Sequence, residues 1–155
     1  MQFLLCMSIF SQEIKPFPET CDFISESPEG LLYLGTTQQA FSFDGHEFYP
    51  KPWTQKGNPN IQSPFYFDHN YRIWFCNYES LVSFDPHTQS SIHYRVPKSN
   101  GGFENADYYS FGWAIPNERL FVRQGKQLYV FNLKNHVFDP LGQSVSGKRE
   151  KTGTV

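Results

Sequence analysis

Three times along the chain, an apolar triplet, a short polar turn and a second apolar run follow one another in the same order. The triplets are Leu32-Tyr33-Leu34, Ile73-Trp74-Phe75 and Leu120-Phe121-Val122. The turns are Thr37-Gln38-Gln39, Tyr78-Glu79-Ser80 and Gln124-Gly125-Lys126, and the second runs end in Phe43-Asp44, Phe84-Asp85 and Phe131-Asn132. A further turn and a final short run (Phe48-Tyr49, Ile92 to Tyr94, Val137-Phe138) complete each unit. An apolar stretch (Phe23-Ile24, Phe65-Tyr66-Phe67, Tyr109 to Trp113) precedes each triplet. Runs this short, bounded by turn residues, read as strands. No window of a dozen residues carries helical periodicity.

The spacing turns twelve short strands into a repeat. Units one and two superimpose at an offset of 41 residues without a gap, and units two and three at 47. Self-similarity at such a period marks repeat architectures. Four strands per period match a propeller blade, whereas the strands of a sandwich need not repeat. The strands are expected near 22–25, 31–36, 39–44 and 47–49, then 63–67, 72–77, 81–85 and 91–95, then 108–113, 119–123, 127–132 and 136–138. The apolar triplets predict an inner strand covered on both faces by neighbouring blades. The outer strands are expected to alternate. The fold class is therefore all-β, an incomplete β-propeller of about three four-stranded antiparallel blades (22–49, 63–95 and 108–138) in an open fan. Tyr33, Trp74 and Phe121 are expected at equivalent positions. Both end blades would leave an apolar face without a neighbour, which predicts association with further blades or with itself.

Composition agrees: 16 Phe, 9 Tyr and 3 Trp stand against three alanines, with 11 Gly and 11 Pro. Aromatics favour strands, alanine favours helices, and Gly and Pro punctuate turns. The net charge of −2 and the scattered basic residues argue against a nucleic-acid surface or an anionic-membrane face. Residues 1–11 contain the apolar run FLLCMSIF. It is too short for a bilayer span and reads as a signal-peptide remnant with Ser11 before cleavage, although no Lys or Arg precedes it. Residues 12–140 form the partial propeller, and 141–155 a polar tail.

The stretch SPEGLLYLGTTQQAFSFDGHEF resembles the two-component regulator propeller repeat through Gly30, Tyr33, Gly35, Thr36, Phe43 and Asp44. DHNYRIWFCNYESLVSFDP matches through Asp68, Trp74, Phe84, Asp85 and Pro86, with Cys76-Asn77 where Gly-Thr is usual. The third copy has Arg123-Gln124 there. The resemblance covers about 23–138. It implies the sensor half of a bacterial two-component regulator of the Bacteroidetes type. In such proteins propellers in the periplasm precede a membrane helix and a kinase or DNA-binding output. The expectation is an N-terminal fragment of such a protein: periplasmic, non-catalytic and ligand-sensing, with a small-molecule or oligosaccharide ligand and no membrane insertion of its own. The alternative is a kelch-like interaction scaffold, which Phe84 to Thr88 also resembles, but the Gly-Gly that kelch repeats need is missing from all three units.

Catalytic and cofactor chemistry finds little support. Gly142 and Gly147-Lys148 have P-loop spacing, yet Arg149 stands where Ser or Thr would hold Mg²⁺. Cys6, Cys21 and Cys76 fit no zinc pattern. Cys21 and Cys76 could pair in an oxidising compartment, and two buried thiols is the simpler reading. No His pair has metal spacing, and His46, His87 and His136 sit at or near the same turn in each unit. Asp44 and Asp85 read as Asx-type turn caps, with Asn132 able to make the same bonds. No catalytic residue, metal or cofactor is expected. Trp74 and Trp113 are expected in blade packing. Trp53 and Tyr78, in a linker and a turn, are the ligand-contact candidates, since loops carry variable recognition and aromatic rings stack on flat apolar faces.

Overall fold

The computed structural model describes residues 20–51, 60–98, 102 and 109–142. They form three antiparallel four-stranded meanders and no helix. Blade one comprises β1 (Phe23–Glu26), β2 (Leu32–Gly35), β3 (Ala40–Phe43) and β4 (Phe48–Pro50). Blade two comprises β5 (Tyr66–Phe67), β6 (Ile73–Cys76), β7 (Leu81–Asp85) and β8 (Ser90–Tyr94). Blade three comprises β9 (Tyr109–Ile115), β10 (Arg119–Gln124), β11 (Gln127–Asn132) and β12 (Val137–Pro140). Within each blade the strands pair in sequence order, and the three sheets do not close into a ring.

The register confirms the repeat residue by residue. Tyr33 faces Ser42, Trp74 faces Ser83 and Phe121 faces Val130, each one place before Phe43, Phe84 or Phe131 of the next strand. Alternation then gives every blade two faces. The rear face of blade two (Ile73, Phe75, Val82, Phe84) packs against blade one, where Ala40 and Tyr33 meet it together with Phe65. Its front face (Trp74, Cys76, Leu81) packs against Leu120, Val122 and Phe131 of blade three. Two cores thus flank one central sheet.

The turns explain the repeat's polar residues. Asp44 Oδ1 accepts the backbone N–H groups of His46 and Glu47 at 2.8 and 2.9 Å. Asp85 Oδ1 does the same for His87 and Thr88 at 2.9 and 3.2 Å. The Asn132 carboxamide oxygen accepts from Lys134 and Asn135 at 2.8 and 3.4 Å. These are the expected caps. The amide donors, Glu47 above all for Asp44 and Thr88 for Asp85, hold both carboxyls below the usual carboxylate range. At the β2–β3 turn, Thr36 Oγ1 accepts from Gln38 and Gln39 at 3.1 and 3.0 Å. Asn77 takes over that role at the β6–β7 turn, with Oδ1 accepting from Glu79 and Ser80 at 3.0 and 2.8 Å. Gly35 lets the Phe65 ring pack close: a Cβ there would lie 3.2 Å from it, so the ring would have to shift.

Four sequence expectations need correction. The first strand of blade two, expected over 63–67, is only Tyr66–Phe67. Pro64 lacks an N–H, and the Phe65 N–H donates across the junction to Ser25 Oγ at 2.8 Å. Full burial of the triplet strand holds for β6 alone. β10 is partly exposed on its front face, which no further blade covers; in β2 Leu32 is exposed and Tyr33 half-buried, while Leu34 is buried. The outer strand β8 does not alternate; only Tyr94 is shielded. Trp113, expected in packing, is 70% exposed. It stands opposite Phe121 on the front face of blade three, where no fourth blade covers it. Among the thiols, Cys76 is buried and Cys21 half-buried, and both are unpaired. Burial pushes the Cys76 thiol far up.

Candidate functional site

A cleft of about 340 Å³ opens where blades two and three meet. Blade two supplies Asp68, His69, Asn70, Arg72 and Trp74, and blade three supplies Asn117, Leu133, Lys134 and His136. Its size falls within the range of small-ligand pockets.

Three turns build it. The β5–β6 turn is closed by the Tyr71 N–H donating to the Asp68 carbonyl at 3.0 Å. Asp68 itself is buried and fully used. Its Oδ1 accepts from Asn70 and Arg72 backbone N–H groups at 2.8 and 3.1 Å, and its Oδ2 from the Trp74 indole N–H at 2.9 Å. The carboxylate therefore organises the turn and fixes the tryptophan floor. Pro116-Asn117 makes the β9–β10 turn. Pro presets the first corner and Asn117 (φ 58) takes the left-handed second corner of a type II turn. Asn117 also ties the blades together. Its N–H donates to Tyr66 Oη at 2.7 Å, and its side-chain oxygen accepts the His69 N–H at 2.9 Å. The β11–β12 turn brings His136 against Tyr94, Phe131 and Trp74, with ring centroids 5.1, 6.1 and 6.2 Å apart. His136 is thus a packing residue with one edge in the cleft.

Two features separate this end of the fan from the other. Tyr71, Gln89, Asn117 and His136 hold left-handed backbone (φ 55 to 60) on its turns, a conformation that costs non-glycine residues of the order of 1 kcal/mol each. The cleft is also cationic: Arg72 and Lys134 stand against Asp68, whose oxygens are already occupied. Arg72 further lowers the Asp85 carboxyl, behind the two amide donors. Among the described residues, no three histidine, cysteine or carboxylate side chains gather to hold a metal ion.

The sequence candidates lie elsewhere. Tyr78 is half-exposed on the β6–β7 turn, at the rim opposite the cleft, beside the surface pair of Arg95 and Glu79 (2.7 Å). Trp53, Tyr108, the 1–11 segment and the tail from 143 lie outside the described residues. The Thr20, Asp22, Thr36, Thr37 and Gln38 side of blade one forms a more open depression of about 490 Å³, on the same rim as Tyr78. The cleft residues escaped the sequence reading because they are ordinary turn residues. Only the repeat offset, which puts the 68–72 turn of one blade beside the 116–118 and 133–136 turns of the next, could have gathered them. Comparison with known proteins finds no family model that matches the chain and no match among curated proteins.

Proposed function

We propose that this chain is a non-catalytic, ligand-sensing propeller segment of a bacterial envelope signalling protein of the two-component type, acting in the periplasm. The resemblance of 23–138 to the two-component regulator propeller repeat supports the protein class. The observation that carries the sensing role is the cleft between blades two and three. Its walls belong to two sheets, so an occupant would bridge them and favour one blade–blade geometry over another, which is what a sensor needs. Arg72 and Lys134 suit a ligand bearing a carboxylate or phosphate, such as an acidic sugar. Trp53 and Tyr78 are proposed as ligand contacts separate from the cleft, for a ligand with flat apolar faces.

The test is thermal-shift and calorimetric titration of the chain with glucuronate, galacturonate and inorganic phosphate. At least one should raise the melting temperature of the wild type, and Arg72→Ala or Lys134→Ala should weaken that binding about tenfold, on the scale of one charge-assisted contact. Wild-type binding that both variants leave untouched would move the site away from the cleft. No binding by any of the three would remove the acidic-ligand reading, and turnover of a substrate would remove the sensor reading.

A further inference from the structure

We propose that the front face of blade three is a second binding site, a platform for a short chain of acidic sugars, and not a junction for a fourth blade.

The two junctions inside the molecule show what a following blade asks of the face it packs on. Opposite the middle of the triplet, blade one has Ser25, blade two Tyr66 and blade three Trp113. Ser25 Oγ accepts the Phe65 N–H at 2.8 Å, and Tyr66 Oη accepts the Asn117 N–H at 2.7 Å. Each oxygen thus takes a backbone donor of the next blade. An indole nitrogen only donates, so Trp113 cannot repeat the bond. Two residues past the middle of the triplet stand Gly35, Cys76 and Arg123. The Phe65 ring lies so near Gly35 that a Cβ there would be 3.2 Å from it. Cys76 is fully buried in the core shared with blade three. Both junctions therefore take a small, uncharged residue at this place. A blade laid on Arg123 in the same way would draw a charge out of water, which is costly unless that charge is paired.

Trp113 is also aimed. The β9–β10 ladder pairs Phe121 with Trp113 and Val122 with Phe111, so Gly112 is an extra residue. The matching ladders of blades one and two run without a shift. Without the bulge Phe111 and Trp113 would share a face. With it, Phe111 is buried at the rear and Trp113 stands exposed at the front. Bulges re-aim side chains in this way and are over-represented beside active sites.

Trp113, Phe121 and Val130 form one row across β9, β10 and β11, with Arg119 and Arg123 on β10 two residues to either side of Phe121. The strand separates the two arginines by about 13 Å, more than the length of one sugar ring. Ile115 and Leu128 widen the apolar plate beside them. Arg123 Nε donates to the Gly125 carbonyl at 2.7 Å, which steadies its stem. The carboxylate in register with the row is Asp139, on the edge strand β12 beyond Val130. An apolar row with donors at both ends fits a flat ligand that carries acceptors and negative charge at its rim. A chain of uronic acids has that form: its C–H faces lie on aromatic rings, and its carboxylates meet guanidinium groups. Single-stranded nucleic acid needs a positive groove along its backbone, and the net charge of −2 opposes it.

The probe is tetragalacturonate, titrated calorimetrically into the full chain carrying Arg72→Ala and Lys134→Ala. Those changes disable the cleft and so separate this site from it. Binding should persist, and tryptophan emission should become harder to quench with acrylamide as the sugar covers the exposed indole. Adding Trp113→Ala or Arg119→Ala should weaken binding about tenfold, with circular dichroism unchanged, and neutral maltotetraose should bind at least about tenfold more weakly. No binding by the cleft-disabled chain would overturn the proposal, as would unchanged quenching or variants that bind like their parent. Equal binding of an oligothymidylate would reassign the face to nucleic acid. A wild-type dimer that Trp113→Ala turns into a monomer in sedimentation would reassign it to a second copy. The cleft can fail its own titrations with monosaccharides and phosphate without altering any of these outcomes.

Discussion

Asp44, Asp85 and Asn132 do the same work with different charge. Each oxygen gathers two backbone N–H groups of the turn that follows. For the two aspartates this lowers the folded-state pKa. Their contribution to stability is therefore complete above the ordinary carboxylate pKa and is lost as pH falls through the lowered folded values. The double variant Asp44→Asn, Asp85→Asn copies what Asn132 already does and has nothing to titrate. We expect the wild-type melting temperature to fall more steeply than that of the variant between about pH 5 and about pH 3. Parallel curves would show that the caps contribute nothing through their charge. The caps were legible from sequence because three copies of one turn share them. Asn77 was not legible as the successor of Thr36, because the two residues share a hydrogen-bonding role and no resemblance in side chain.

At the scale of the element, two turns share a backbone and differ in what holds it. Gln89 and His136 occupy the same place after Asp85 and Asn132, with φ 55 and 59. Gln89 is exposed and held by one bond, its Nε2 donating to the Pro86 carbonyl at 2.7 Å. His136 is stacked on Phe131 with the ring planes 6° apart. Glycine relieves left-handed strain at both positions. Gln89→Gly should thus be neutral to stabilising, by up to about 0.5 kcal/mol. His136→Gly should cost about 1 kcal/mol, because the lost ring contacts outweigh the relief. Urea midpoints compare the two, and equal shifts of one sign would show that the rings around His136 do not matter. The strand order and the register of each meander were readable from the triplets and their turns. The length of β5 was not, because it depends on Ser25, forty residues earlier, taking the Phe65 N–H.

Across the whole molecule, protection should follow the number of covered faces. β6 and β7 lie between both cores, β6 buried throughout, while β4, β8 and β12 are outer edges. Native-state hydrogen exchange should be slowest in β6 and β7 and fastest in β4 and β12; uniform protection across the three sheets would contradict two cores sharing one central sheet. The fan was visible in the sequence, since the repeat offset alone implies it. The cleft was not, because its residues run from Asp68 to His136 and belong to turns whose meeting depends on how blades stack. Nor was the exposure of Trp113: local pattern tells which face of a strand is apolar and says nothing of what lies beyond it.

Every strand pairs with its neighbour in sequence, and that order has a consequence for synthesis. No pairing has to wait for a distant partner, so loop-closure entropy is small and each sheet can zip as it leaves the ribosome. Packing between sheets lags behind. When blade two has emerged, Ile73, Phe75 and Val82 can settle at once on blade one, but Trp74, Cys76 and Leu81 must wait for Leu120, Val122 and Phe131. For that interval the nascent chain shows water the apolar front face of blade two, and a ribosome stalled before residue 120 would hold it there, open to chaperones and to other chains.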